Sequence, residues 1–115
     1  MLKVMIVFHR KKGMTHEEFV KEWLEKQIPL VAKGEGLVRY VANVATSRRG
    51  EEPPFDGIAE LYFKDRETFE KRLKTPESDA VRAHIYSIID HKDPIVVPRR
   101  YVVEPEISNE IRIEE

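Results

Sequence analysis

Residues 2 to 9, LKVMIVFH, are apolar on both alternating sets of side chains. Leu2, Val4, Ile6 and Phe8 form one set; Lys3, Met5, Val7 and His9 form the other. Successive side chains of a strand point to opposite faces, so a strand apolar on both is usually covered on both. Whatever the rest of the chain builds must therefore leave neither face of this strand bare.

The segments that follow supply cover for one face. Thr15 and Glu18 form a T-x-x-E capping box that opens an amphipathic helix expected to run to about residue 27. Pro29 disfavours helical geometry at Ile28 and removes a backbone donor, which predicts a kink or an end near Gln27. GEG at 34–36 turns the chain into a second strand, LVRYVANVAT at 37–46. A polar, Pro/Gly-rich loop at 47–57 leads into a third strand, IAELYF at 58–63. Asp65 caps a short helix at 66–74, and Thr75-Pro76 opens a longer one that runs to about residue 90. IVVPRRYVV at 95–103 is the fourth strand, its internal Pro98 placing it at an edge or a bulge.

The order strand, helix, strand, strand, helix, strand is the ferredoxin-like βαββαβ plan of the α+β class. It puts two helices on one face of a four-stranded antiparallel sheet. Residues 1–104 make one domain, and 105–115 form a polar, acidic tail. The helices leave the second face of the first strand open. A partner should therefore cover it, and a second copy stacked sheet to sheet makes a symmetric homodimer.

Composition removes several function classes. The absence of cysteine excludes a disulfide framework, a thiol nucleophile and cysteine-ligated metals. With 20 basic and 21 acidic residues there is no overall field to attract nucleic acid. No apolar run approaches the about 20 residues that span a bilayer, and the N-terminus reads as a strand rather than a signal peptide. The expectation is a cytoplasmic protein without membrane or nucleic-acid partners. Charged residues are 36% of the chain and amides are scarce, a balance found in thermophile proteins and equally in small, surface-rich domains. Against that scarcity, the one glutamine, Gln27, sits on a helix.

On a helical wheel, Phe19, Val20, Trp23, Leu24, Leu30 and Val31 share an arc, and Gln27 falls in its middle. In the later helix, Ala80, Val81, Ile85 and Ile88 share an arc that also contains His84. Each helix thus presents one polar group toward the sheet. Structurally, the two can bond to backbone or to each other. Functionally, they suit an apolar small-molecule pocket with a few polar groups.

Other candidates are weaker. His9 ends the first strand beside Arg10, Lys11 and Lys12 and reads as surface; His16 lies in an exposed first helical turn; His91 follows the last helix. No histidine pair has convincing metal-ligand spacing, so no metal site is expected. Glu60 is either an acid/base group or half of a structural pair, with Arg39 or Arg100 as partner. Tyr40 and Tyr62 either offer phenols to a ligand or pack.

Four stretches, THEEFVKEWLEKQIPLV (15–31), GLVRYVANV (36–44), DGIAELYFKD (56–65) and TPESDA (75–80), together resemble the EthD-like family of dimeric α+β barrels. The resemblance implies a homodimer and a ligand cavity between sheet and helices in each subunit. It also implies kinship with decarboxylases, dehydratases, isomerases and cyclases of small aromatic or polyketide-like compounds, and no cofactor. The family's helix characteristically ends in a His-x-Pro-Leu type motif with the histidine facing the cavity. The matching stretch here is Gln27-Ile28-Pro29-Leu30. Glutamine can hydrogen-bond a ligand but cannot cycle a proton near neutral pH as histidine does.

The expected site therefore has His84 as catalytic base and Trp23, Gln27, Tyr40, Leu61 and Phe63 as substrate-binding residues around a small apolar or aromatic ligand. The expected function is a cofactor-independent lyase, isomerase or cyclase. The alternatives are a non-catalytic ligand-binding or accessory protein of an oxidative degradation pathway, and an oxygen-using relative of the same barrel.

Overall fold

The computed structural model describes residues 1–92 and 100–103, with Arg100 by its backbone alone. Four strands, β1 (Leu2–Phe8), β2 (Leu37–Val44), β3 (Gly57–Phe63) and β4 (Arg100–Val103), form one sheet in the order β2-β3-β1-β4. Every neighbouring pair is antiparallel. The fold is α+β and ferredoxin-like, as the element order predicts. Of the expected fourth strand, residues 95–99 with Pro98 lie outside the described residues, as does the 105–115 tail.

The register sorts the sheet into two faces. Leu2, Val4 and Phe8 of β1 and Ala59 and Phe63 of β3 are buried on the helix side. Lys3, Met5 and Val7, with Ile58, Glu60 and Tyr62 opposite them, occupy the other side and are only partly buried. Glu60 bonds there to Lys3 Nζ at 2.9 Å and accepts from Asn43 Nδ2 at 2.9 Å. Among the described side chains its bonded cation is thus Lys3 rather than Arg39; the side chain of Arg100 lies outside the described residues. Lys3 stands opposite Tyr62, so it is the diagonal cross-strand neighbour of Glu60 and within reach of it. Arg39 instead lies over the Tyr62 ring, 5.2 Å from its centroid.

The helical layer begins with α1 (His16–Glu22), closed by the reciprocal Thr15–Glu18 capping box. The chain does not stop near Gln27. It passes through one wide, π-helical stretch, Trp23–Gln27, and resumes as α2 (Ile28–Ala32). Pro29 accounts for the widening: it cannot donate to Glu25, and in a regular α-helix its ring would press on that carbonyl. The Ile28 N–H reaches back to Trp23 O instead. A wide turn advances each residue by a smaller angle, so Ile28 packs against the core while Leu24 is 41% exposed. The helices α3 (Arg66–Arg72) and α4 (Pro76–Ile88) start at Asp65 and Thr75, whose side chains accept from Thr68 N and Ser78 N. Ala80, expected on the buried arc of α4, is exposed; Ile85 and Ile88 carry its packing. No helix among the described residues is long and apolar enough to cross a membrane.

Two apolar clusters fill the space between the layers. One joins Phe8, Phe19, Trp23, Ala59, Ile85, Ile88 and Ile89; the other joins Leu2, Val4, Phe63 and Phe69. At the edge of the first, Asp56 is 3% exposed. It accepts from Arg10 N at 2.8 Å, Arg10 Nη1 at 2.9 Å and His16 Nδ1 at 2.8 Å, and its own N–H donates to Phe8 O at 2.8 Å. The charge of one carboxylate thus ties the end of β1, the start of α1 and the entry to β3. His16 is held in this network rather than exposed, because the first turn of α1 lies against it. His9 is half-buried rather than a surface residue, and its Nδ1 has no partner among the described residues.

Burial alone would raise the Asp56 carboxyl, but the Arg10 N–H, His16 and the Arg10 guanidinium together hold it below the usual aspartate range. A depressed folded value stabilises the fold fully above the unfolded value of about 4, and that contribution is lost as pH falls through the folded value. Urea titrations should therefore show stability declining in acid below about pH 4, with the decline smaller in Asp56→Asn. Asp56→Ala, which leaves the Arg10 main-chain N–H and His16 without their acceptor and Arg10 with only the exposed Glu52 as partner, should cost about 1–3 kcal/mol at neutral pH. An acid limb unchanged in Asp56→Asn would remove Asp56 from this account.

Candidate functional site

The wide turn places two buried residues, Trp23 and Gln27, on the sheet-facing side of the helix. Trp23 is fully buried and lies on Gly57, where a Cβ would sit 2.4 Å from Trp23 Cζ3. Only a glycine at that point of β3 lets the indole come so close. The Phe8 ring meets the indole edge-on at 5.5 Å and Phe19 tilts against it at 5.7 Å. The indole N–H then donates to the Tyr40 hydroxyl at 2.8 Å.

That bond sets the role of Tyr40. Burial pushes its phenol up to about 12, against the opposing effect of the Trp23 N–H, so the group is a neutral hydroxyl at physiological pH. Its oxygen accepts from Trp23, and its own proton is left to donate.

Gln27, 3% exposed, is oriented in the same way. Its Nε2 donates to Val81 O at 3.2 Å. A carbonyl can only accept, so the amide oxygen must point the other way, where it lies 2.6 Å from His84 Nδ1. The opposite ring nitrogen of His84 lies 3.2 Å from Glu22 Oε2, and Glu22 Oε1 lies 2.9 Å from Lys26 Nζ. A chain of polar contacts thus runs from the surface through Lys26, Glu22 and His84 to Gln27. Lys26 first, and His84 next, hold the Glu22 carboxyl below its usual range. Both ring nitrogens of His84 face acceptor oxygens.

A cavity of about 210 Å³ opens between the two clusters. Val4, Ile6, Phe8, Leu61 and Phe63 form its floor on the sheet, with Tyr40 to one side. Gln27 and Val31 line it from the first helix, Phe69, Arg72 and Leu73 from α3, and Ser78, Val81, Arg82, Ile85 and Tyr86 from α4. It is larger than an apolar cavity of about 150 Å³ that holds benzene.

Of the residues singled out from sequence, Gln27, Tyr40, Leu61 and Phe63 line this cavity together. Trp23 and His84 are not among its lining residues. Trp23 is held one layer back by its packing on Gly57 and reaches the cavity through Tyr40. His84 is drawn toward Glu22 on the outer side of α1 and reaches it through Gln27. Sequence reasoning passed over Arg72 and Arg82. The available signal for Arg72 was its spacing of three from Phe69, which puts both on one side of α3.

The EthD domain model matches residues 11–92. Among solved structures, an ethyl tert-butyl ether D (EthD) family protein from Bacillus halodurans is 17% identical with a TM-score of 0.71, over 90% of this chain and 97% of that one. SnoaB, a cofactor-independent oxygenase from Streptomyces nogalater, is 12% identical with a TM-score of 0.65, over 98% of this chain and 97% of that one. A dimeric ferredoxin-like protein from Thermobifida fusca is 16% identical with a TM-score of 0.61, over 89% of this chain and 86% of that one. At such identities these structures share the fold alone. No curated protein matches the sequence. The family model begins just after β1 and extends just past α4, across the helices, β2 and β3, and on that match the chain belongs to the EthD domain family.

Proposed function

We propose that this protein binds a small, single-ring apolar or aromatic molecule in the cavity between helices and sheet. The observation that carries the reading is the cavity itself: a wall of apolar side chains interrupted by the oriented polar groups of Gln27 and Tyr40. Tyr40 is held by Trp23, and Gln27 by the Val81 carbonyl and His84, so neither must rearrange to meet a ligand, which lowers the cost of binding.

One observation favours a second reading, catalysis without a cofactor. His84 contacts Gln27 directly, and Gln27 reaches the cavity. In that reading Gln27 orients a carbonyl of the substrate and His84 supplies acid/base function from one layer back. The similarly folded SnoaB, a cofactor-independent oxygenase, makes such chemistry in this architecture reasonable.

The protein acts, in this proposal, as a homodimer. Met5, Val7, Val41 and Ile58 present apolar groups on the sheet face that no helix among the described residues covers, and Tyr101 beside them is 54% exposed. A second sheet stacked on this face removes that surface from water. The dimeric Thermobifida fusca structure has the same fold.

Calorimetry with benzyl alcohol should give saturable binding by the natural protein. Leu61→Phe, which fills cavity space from β3, should weaken it about tenfold or more while keeping the fold. Binding unaffected by Leu61→Phe would place the ligand elsewhere. If turnover of a carbonyl substrate is found, it should vanish in His84→Ala; unchanged turnover would leave His84 a purely structural residue. Sedimentation at micromolar concentration should show a dimer, and Ile58→Glu should yield monomers. A stable monomer of the natural chain would sink the proposed assembly.

A further inference from the structure

Arg72 is a cation in the wall of an apolar cavity. It is half-buried, and its guanidinium donates to the backbone carbonyls of Val31 and Glu35 at the end of α2. Its centre lies 5.6 Å from the Phe63 ring centroid, and a Cβ on Gly34 would come within 2.5 Å of its Cζ. The site is thus shaped around the guanidinium: a glycine on one side, an aromatic face on another, two carbonyls fixing its plane. No carboxylate among the described residues pairs with it. Burial acts on Arg72 without compensation from an acidic neighbour, which pushes its guanidinium below the usual arginine value.

The other polar groups of the lining are of the same kind. Tyr40 has an O–H to give, because its oxygen already accepts from Trp23. Gln27 turns its oxygen toward His84 and has a second Nε2 proton beyond the one on Val81 O. Arg82 is held only loosely by Asp79, at 3.6 Å. Ser78 can donate as well as accept. Among the described residues, no aspartate or glutamate lines the cavity. A wall that offers donors and positive charge, with no anion of its own, is complementary to an acceptor that carries negative charge.

We infer that the ligand of this cavity is a small organic acid, with a single-ring apolar body and a carboxylate that pairs with Arg72. This rests on the small-molecule reading above and specifies its chemistry. A planar guanidinium matches a carboxylate in two parallel N–H···O bonds, and the pairing is stronger where water is excluded. The body of such an acid fits the Val4, Ile6, Leu61 and Phe63 floor.

Calorimetry on the full chain at neutral pH should compare benzoate, benzyl alcohol and phenyl phosphate. Benzoate should bind about tenfold or more tightly than benzyl alcohol. In Arg72→Met that preference should disappear while benzyl alcohol still binds, and Arg72→Lys should retain part of it. If Arg72→Met fails to fold, the natural protein alone decides. Equal or weaker binding of benzoate overturns the inference and leaves the cavity reading standing. Binding of none of the three removes both. Tighter binding of phenyl phosphate than of benzoate overturns the choice of carboxylate, and a benzoate preference that persists in folded Arg72→Met overturns the role of Arg72.

Discussion

The contact between Trp23 and Gly57 sets the spacing on which the helical side of this molecule depends. A fully buried indole lies on a backbone with no side chain, so helix and sheet meet at a distance no larger residue at position 57 would allow. Phe8 and Phe19 close around the ring, and its one polar atom is satisfied by Tyr40. That single bond connects packing to chemistry, because it consumes the acceptor side of the phenol and leaves the donor side toward the cavity. The wide turn forced by Pro29 keeps Gln27 on the same face, one turn further along.

The buried polar groups fall into two systems with different tasks. Asp56, Arg10 and His16 join three chain segments through a fully engaged carboxylate, which is a fold-fixing arrangement. Glu22, His84 and Gln27 form a line that begins at the surface and ends at the cavity wall. In the first system the carboxylate is matched by the Arg10 guanidinium, which also reaches Glu52. The second ends on an amide, a group that orients but does not carry a proton between partners near neutral pH. The cavity side of this protein is accordingly built from donors that are held in place, an amide, a phenol and the Arg72 guanidinium, with Arg82 more loosely held beside them.

The sequence by itself determined the architecture. Alternation in LKVMIVFH, the capping box at Thr15 and Glu18, and the caps at Asp65 and Thr75 are local patterns, and local sterics and hydrogen bonding decide them. It also determined that Gln27 faces inward, since a helix period places it on the face of Phe19 and Trp23. Only the tertiary structure decided what the polar side chains meet. That Trp23 and His84 stand one layer behind the cavity, that Asp56 gathers Arg10 and His16, and that Lys3 takes Glu60 all depend on partners brought together from distant parts of the chain. Arg72 is the clearest case. In sequence it is one basic residue in the last turn of a short charged helix; it enters the cavity wall only because α3 packs between the end of α2 and Phe63, with Gly34 making room. Periodicity encodes the direction of a side chain, but not the distance to a neighbour that another segment supplies.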